Sequence, residues 1–218
     1  MSSAAERRQR ILDGIARAAE LANRDPDGIQ LIAVSKGRPA DQIEPLMDVG
    51  QRDFGENRVQ EALGKWPPLL AANADVRLHE IGRLQSNKAA EALKLFDTIH
   101  SLDRASLLDA LVKEAEKSGR TPSLYVQVNI GEEEQKGGCA IAEVGDLVAA
   151  VRASPLQLAG LMAIPPLGPE PAPYFALLAK LARRHDVTGL SMGMSSDFKE
   201  AVMLGATAVR VGTALFED

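Results

Sequence analysis

The sequence has little of several features that would place a protein in a specialised class. Among its 218 residues there is one cysteine, Cys139, so a framework of disulfides within the chain is excluded. There is no apolar run of about 18 residues, and residues 1–10 are too polar for a signal peptide. The net charge of −5 argues against a dedicated nucleic-acid-binding protein, which usually has a basic excess. We therefore expect a cytoplasmic protein that binds neither membranes nor nucleic acid.

The sequence does contain a repeated alternation of short apolar strands and amphipathic helices. One helix is predicted first, at 4–23, because Ile11, Ile15 and Ala18 recur on one helical face. Eight strands follow, predicted at 30–36, 53–55, 76–81, 98–101, 123–130, 156–163, 189–192 and 207–211. Between them the helical patterns are predicted at 40–49, 57–63, 86–95, 103–117, 142–151, around 174–181 and at 196–204.

This alternation predicts the fold class. Strands that alternate with helices form right-handed βαβ units and a parallel sheet, and eight such units indicate a closed (β/α)₈ (TIM) barrel. The main alternative is an open doubly wound sheet, which would need a glycine-rich phosphate-binding turn after the first strand. Residues 35–39, Ser-Lys-Gly-Arg-Pro, are not such a turn. We therefore predict a single α/β barrel domain over residues 1–218 with an extra N-terminal helix.

The first predicted strand ends on Lys36, although lysine is rarely buried without a reason. In a barrel, alternate residues face inward and functional side chains lie at the carboxyl ends of the strands. Lys36 shares a strand face with Ile32 and Val34, and Arg210 ends the last strand. Closure makes these two strands neighbours, so we expect the two cations to lie side by side at one mouth.

Two adjacent cations favour an anionic ligand. Ser195 follows the seventh strand, and Gly212 and Thr213 follow the eighth, where this fold usually binds phosphate. A lysine beside a second cation in a partly dry pocket has a lowered pKa and is nucleophilic toward carbonyls. Pyridoxal 5′-phosphate (PLP), a phosphorylated aldehyde, fits these requirements. An enzyme that forms a Schiff base with a phosphorylated sugar, without a cofactor, is an alternative.

Several ordered motifs also resemble one known family. They are A-V-S-K at 33–36, F-G-E-N at 54–57, H-E-I-G at 79–82, L-Q-S-N-K at 84–88, G-L-M-A-I-P at 160–165, S-M-G-M-S at 191–195 and V-R-V-G-T-A at 209–214. Nearly end to end, the sequence resembles the YggS/PROSC family of pyridoxal-phosphate homeostasis proteins. That family in turn is similar to the N-terminal barrel domain of alanine racemase.

The resemblance implies roles for particular residues. It implies that Lys36 forms a Schiff base with PLP and that Arg210 faces the pyridine nitrogen. It also implies that Ser195, Gly212 and Thr213 hold the phosphate; Asn57 matches a family position beside the cofactor. Lys136 matches a loop lysine that could form a second cofactor contact, a role left open here. No metal site is predicted, because His79, His100 and His185 lie far apart in the pattern.

The resemblance further implies a function in intracellular PLP homeostasis, in which the protein binds, buffers or delivers the cofactor. We expect PLP as ligand, transient contacts with apo forms of PLP-dependent enzymes, and a monomer. Alanine racemase adds a second domain that supplies another acid/base, and no such region follows here, so we expect no catalytic turnover. A PLP-dependent amino-acid racemase is the remaining alternative.

Overall fold

The computed structural model of the protein describes residues 2–217. Met1 and Asp218, the ends of the predicted domain, lie outside the described residues. Within that range eight parallel strands form a closed barrel in which each strand pairs with the next and β8 pairs with β1. The predicted (β/α)₈ fold is therefore confirmed. The strands are β1 (Gln30–Val34), β2 (Asp53–Glu56), β3 (Arg77–Glu80), β4 (Thr98–Leu102), β5 (Ser123–Gln127), β6 (Gln157–Met162), β7 (Leu190–Ser191) and β8 (Ala208–Val211).

The helices follow the strands in the predicted order, with several differences in extent. They are α1 (Ala4–Leu21), α2 (Ala40–Asp48), α3 (Val59–Ala72), α4 (Ala89–Ala92), α5 (Ala105–Ser118), α6 (Val144–Ala153), α7 (Ala172–Arg184), α8 (Phe198–Met203) and α9 (Thr213–Phe216). Short 3₁₀ turns at Pro26–Gly28, Ser86–Lys88 and Ile141–Glu143 complete the secondary structure of the described residues. None of these helices combines the length and apolar character that crossing a bilayer requires.

The extra N-terminal helix, α1, packs against the last helices of the barrel. A capping box between Ser3 and Glu6 satisfies its first backbone N–H groups. Its buried face contacts α8 and α9. Arg7 Nε donates to the carbonyl of Leu215 at 2.7 Å, which ties the two ends of the described chain together.

The predicted strand parity is observed. Leu124 and Val126 of β5 lie in the apolar layer between the strands and the helices. Tyr125, between them, stacks on the His100 ring with 4.4 Å between centroids, inside the barrel. The interior thus contains polar rings, whereas most of the apolar core lies outside the strands.

The predicted helix at 57–63 was too short. α3 runs to Ala72 through Pro67 and Pro68, which usually interrupt a helix because proline lacks an N–H and crowds the preceding turn. The Trp66 side chain, just before the two prolines, is fully buried. Its ring packs at a tilt against Phe54, and this contact keeps the segment against the barrel. Tertiary packing therefore overrides the local cost of the two prolines.

Two other predicted elements were too long. The pattern at 86–95 forms a 3₁₀ turn followed by the one-turn helix α4. The strand predicted at 123–130 ends at Gln127, after which Val128 makes an isolated bridge to Cys139. Val128 and Ile130, beyond Gln127, are buried, but the regular strand does not extend to them.

Candidate functional site

A cavity of about 370 Å³ opens at the carboxyl end of the barrel. All six residues predicted to hold a ligand line it together: Lys36, Asn57, Ser195, Arg210, Gly212 and Thr213. The other lining residues are Val34, Arg38, Ile81, Ile164, Met194 and Ser196. Three of the twelve are cationic and none has a carboxylate, so the cavity favours an anion. The four apolar side chains give it a surface that suits a flat ring.

Lys36 lies two residues beyond the end of β1, in the turn that follows it. Its side chain is exposed, which differs from the partly dry position that the sequence predicted. The strand ends early because Gly37 adopts φ +69°, in the left-handed region that favours glycine. The amine is therefore presented at the mouth of the cavity, within reach of solvent.

Although Lys36 is exposed, the backbone around it is held firmly. Ser35 Oγ donates to Glu56 Oε1 at 2.7 Å, and Lys65 Nζ donates to the carbonyl oxygens of Ser35 and Arg38 at 2.9 and 3.0 Å. The Gly37 N–H donates to Glu61 Oε1 at 2.6 Å. The turn thus presents an exposed side chain on a firmly held backbone.

Glu56 is the centre of this support. Its side chain is fully buried, and its Oε1 lies 2.7 Å from Lys65 Nζ and accepts from Trp66 Nε1 at 2.9 Å. A buried carboxylate requires such partners, because an unpaired charge in the interior is costly. Sequence analysis missed Glu56 and Lys65. The F-G-E-N motif gave the only signal, since a glutamate directly after buried Phe54 and Gly55 is out of character.

Arg210 lies at the inner wall of the cavity and is 4% exposed. Its guanidinium donates to Ser191 Oγ at 2.5 Å and to the Ala163 carbonyl at 3.1 Å. Burial lowers the pKa of the Arg210 guanidinium to about 10, so the group remains a cation at neutral pH. Because an arginine can only donate, it can serve a neutral ring nitrogen as a hydrogen-bond donor.

The loops after β7 and β8 meet beside Arg210. The Gly212 N–H donates to Ser195 Oγ at 3.3 Å, which joins the two loops. Gly193 has φ +94°, and a Cβ there would lie 2.6 Å from Ala201 Cβ, so this turn requires glycine. Thr213 follows as the first residue of α9. Hydroxyls and backbone N–H groups are thereby gathered at one edge of the cavity.

Asn57 follows β2 and lies at the opposite edge. Its Oδ1 is buried and has no hydrogen-bond partner among residues 2–217. Gly82 packs so closely that a Cβ there would lie 2.1 Å from the Asn57 carbonyl oxygen. The asparagine is thus fixed in place with an unused acceptor.

Behind Arg210, a chain of hydrogen bonds runs through the interior of the barrel. Ser191 Oγ lies 2.8 Å from His100 Nδ1, and His100 Nε2 lies 2.9 Å from His79 Nδ1. His79 Nε2 lies 3.1 Å from Asp53 Oδ1. The two histidines, predicted to lie too far apart to share a site, are therefore direct neighbours.

When both imidazoles are neutral, the hydrogen bonds of this chain all run in one direction, from donor to acceptor. Asp53 can only accept, so His79 donates to it and accepts from His100, which in turn accepts from the Ser191 hydroxyl. Burial, aided by the charge of Arg210, lowers the pKa of His100 well below its usual value and keeps it neutral. Burial alone would raise the Asp53 pKa, but the hydrogen bond from His79, together with the charge and hydrogen bond of Arg77, lowers that pKa. The chain of hydrogen bonds therefore connects the Arg210 cation to the Asp53 carboxylate.

Lys136 lies outside this arrangement. Its Nζ donates to the Pro165 carbonyl at 3.0 Å and pairs with Glu133 at 2.6 Å. These contacts tie its glycine-rich loop to the loop after β6. The contacts observed for Lys136 are structural.

The closed barrel and the lysine-bearing cavity at its carboxyl end define a barrel of the alanine racemase type. The model of the family described as alanine racemase, N-terminal domain, matches residues 9–218. The chain belongs to this family and, within it, to the pyridoxal phosphate homeostasis proteins. The family predicted from the motifs is thereby confirmed.

Three similar proteins illustrate this relationship. A pyridoxal phosphate homeostasis protein of Pseudomonas aeruginosa is 41% identical over 99% of this chain and 96% of its own. The structure of an unknown protein from Bifidobacterium adolescentis has a TM-score of 0.92 and 32% identity, covering 98% of this chain and 94% of that one. PipY of Synechococcus elongatus, solved with PLP bound, has a TM-score of 0.77 and 42% identity, covering 93% of this chain and 99% of that one.

Proposed function

We propose that this protein binds PLP through Lys36 and acts in PLP homeostasis, as a monomeric carrier without catalytic turnover. The observation that carries the proposal is the exposed Lys36 amine at the mouth of a cavity lined by cations and free of carboxylates. The similar PipY protein was solved with PLP bound, which supports the same ligand here.

The lining residues fit each part of PLP. Lys36 offers an amine for the aldehyde, and the apolar residues Val34 and Ile164 offer contacts for the ring. Arg210 offers a donor for the ring nitrogen. Ser195, Gly212 and Thr213 offer hydroxyls and a backbone N–H for the phosphate. When bound, the cofactor supplies an electrophilic carbonyl and an electron-accepting ring.

The residues of the chain would attach the cofactor reversibly. Lys36, in its neutral form, would be the amine that holds the aldehyde of the cofactor, with one water released when the two groups join. The reverse reaction releases the aldehyde to water or to another amine. Because Lys36 is exposed, both directions are accessible, as a carrier that supplies apo-enzymes requires. Arg210, which stays protonated, would donate to the ring nitrogen and so favour its unprotonated form, in which the ring is a weaker electron acceptor.

The absence of turnover is supported by the composition of the cavity. Racemisation needs an acid and a base on opposite faces of the substrate. Within residues 2–217, the titratable groups that line the cavity are Lys36, Arg38 and Arg210. Neither arginine is a suitable base, and Lys36 alone can serve one face.

The attachment is tested by mixing the protein with PLP, reducing it with borohydride and mapping the modified residue by mass spectrometry. We expect a visible absorbance band and a modification at Lys36, both lost in Lys36→Ala. Lys199→Ala, which removes an exposed lysine from α8, is the matched control and should keep both. Modification that is spread over several lysines, or an unchanged band in Lys36→Ala, would contradict the proposal.

Turnover is tested separately by incubating the PLP-loaded protein with L-alanine in deuterium oxide. We expect no exchange of the α-proton beyond that of free PLP. Exchange at enzyme-like rates, abolished by Lys36→Ala, would show instead a racemase-type enzyme.

Transfer to apo-enzymes is tested by following the activation of an apo-aminotransferase in the presence of an agent that traps free PLP. We expect activation to be faster with the loaded carrier than with an equimolar amount of free PLP.

A further inference from the structure

A second and larger cavity lies beside the Lys36 cavity at the same end of the barrel. Its volume is about 660 Å³, and Asn57 is part of the wall of both. Four cations from the segments that follow β2, β3 and β4 line it: Arg58, Arg83, Lys88 and Arg104. Nothing in the site described above uses these residues.

The positive charge in this cavity is only partly compensated. Arg104 pairs with Asp103, and Lys88 pairs with Glu91. The side chains of Arg58 and Arg83 are exposed and have no ion pair or hydrogen bond to any residue in the described range. Two guanidinium groups are therefore available to a ligand.

The single carboxyl in the wall, Glu80, does not neutralise them. Its side chain is 1% exposed, its Oε1 accepts from the Gly82 N–H at 3.0 Å, and its Oε2 is buried without a partner in the described part of the chain. Burial, opposed in part by that hydrogen bond, raises the pKa of Glu80 to about 8. At neutral pH it is thus mainly an uncharged carboxylic acid.

Two buried atoms at the wall have no hydrogen-bond partner in the described part of the chain, Glu80 Oε2 and Asn57 Oδ1. Buried polar groups are satisfied in nearly all proteins, so each unsatisfied one calls for an explanation. Both atoms are buried, so the groups that a ligand in the cavity can reach directly are the two free guanidinium groups, which favour negatively charged oxygens.

We propose that this cavity is a second anion-binding site, for a small phosphorylated molecule, separate from the Lys36 cavity. A guanidinium group can donate two parallel N–H hydrogen bonds to two oxygens of one phosphate, because its planar shape matches that arrangement. A phosphate group presents several negatively charged oxygens on one centre, which suits two neighbouring guanidinium groups. The proposal does not depend on whether Lys36 holds PLP.

The site is tested by isothermal titration of the full chain with inorganic phosphate and with glycerol 3-phosphate, at constant ionic strength. We expect Arg58→Gln/Arg83→Gln to weaken binding of at least one of them tenfold or more. Arg183→Gln/Arg184→Gln, which removes the same charge from the exposed end of α7, should change it less than twofold. Lys36→Ala should keep the binding that the first double variant loses.

The two ligands distinguish the source of the phosphate. Tighter binding of glycerol 3-phosphate would assign a phosphate ester, and equal binding would assign the phosphate group alone. The proposal is overturned if neither ligand binds, if both double variants lose binding equally, or if citrate binds as tightly as either ligand. Circular dichroism of each variant shows that it is folded before it is titrated.

Discussion

Polar groups at the mouth of the barrel and polar groups in its interior differ in their hydrogen-bond partners. In the interior, Arg210, Ser191, His100, His79 and Asp53 satisfy one another in an unbroken chain. At the mouth, Lys36, Arg58 and Arg83 project without partners in the described residues, and Glu80 and Asn57 each keep a buried atom unsatisfied. The buried network fixes the interior, whereas the unpaired cations at the mouth are available to a ligand.

The comparison also explains how one residue can belong to both regions. Arg210 is the end of the interior chain and also lines the mouth cavity. Its position is set by Ser191 and the Ala163 carbonyl, so a ligand would meet a guanidinium that is already oriented. Such preorganisation lowers the entropy cost of binding.

The largest effect should come from breaking the interior. In His100→Leu, Ser191 and His79 each lose a partner within the barrel, and burying unsatisfied polar groups is costly. We expect the free energy of unfolding to fall by about 3 kcal/mol, measured by urea denaturation. Lys36→Ala at the mouth should change it by less than about 0.5 kcal/mol. Equal losses in the two variants would remove the distinction between the regions.

Arg210 should affect binding more than Arg38, the other arginine of its cavity. Arg210→Gln removes the charge but keeps a donor for Ser191. We expect PLP affinity to fall by roughly ten- to a hundredfold, the value of a charge-assisted hydrogen bond of about 1.5–3 kcal/mol, with attachment to Lys36 retained. Arg38→Gln, in the same cavity, should have a smaller effect. The two affinities are compared by absorbance titration, and the reverse order would assign Arg210 a structural role only.

Glu80 should make stability depend on pH. Its pKa is raised from 4.5 to about 8 in the folded protein, so between these values the folded state binds a proton that the unfolded chain releases. The contribution of Glu80 protonation to the free energy of unfolding is therefore fully present below pH 4.5. It is lost as the pH rises toward 8, by at most about 1.4 kcal/mol per pH unit. Glu80→Gln should have a flatter profile than the wild type. Parallel profiles from urea unfolding at several pH values would contradict the assignment.

The smallest effect should come from Ser195, one of several donors and acceptors in its loop. Ser195→Ala removes a hydroxyl that accepts from the Gly212 N–H. We expect PLP affinity to fall by roughly three- to tenfold, which corresponds to about 1 kcal/mol. Ser196→Ala is the control in the same cavity. An unchanged affinity in Ser195→Ala would place the phosphate elsewhere in the cavity.

The sequence predicted the fold and the inward faces of the strands because both follow from short periodic patterns. The parity of β5 placed Tyr125 inside, and the closure of the barrel placed Arg210 beside the mouth. The ionic support of the Lys36 turn could not be predicted in this way. Glu56 and Lys65 meet only because α3 folds back on β2, and Pro67 and Pro68 gave a misleading signal for that helix.

The contact between His79 and His100 escaped prediction for a related reason. The two residues lie on neighbouring strands, and whether their rings meet depends on the register between β3 and β4. The register pairs His79 with Thr98, so the ring of His100 reaches toward His79 along the barrel axis. Periodicity within one strand contains no information on this offset.

The pairing of β1 with β8 has a consequence for how the protein is made. Lys36 comes from an early part of the chain, whereas Arg210, Gly212 and Thr213 come from its last strand and the residues after it. These groups therefore cannot meet until the ribosome has released the polypeptide through β8. Loading with a ligand that needs all of them has to wait for β8, and a nascent chain arrested before β8 would leave the ligand in solution.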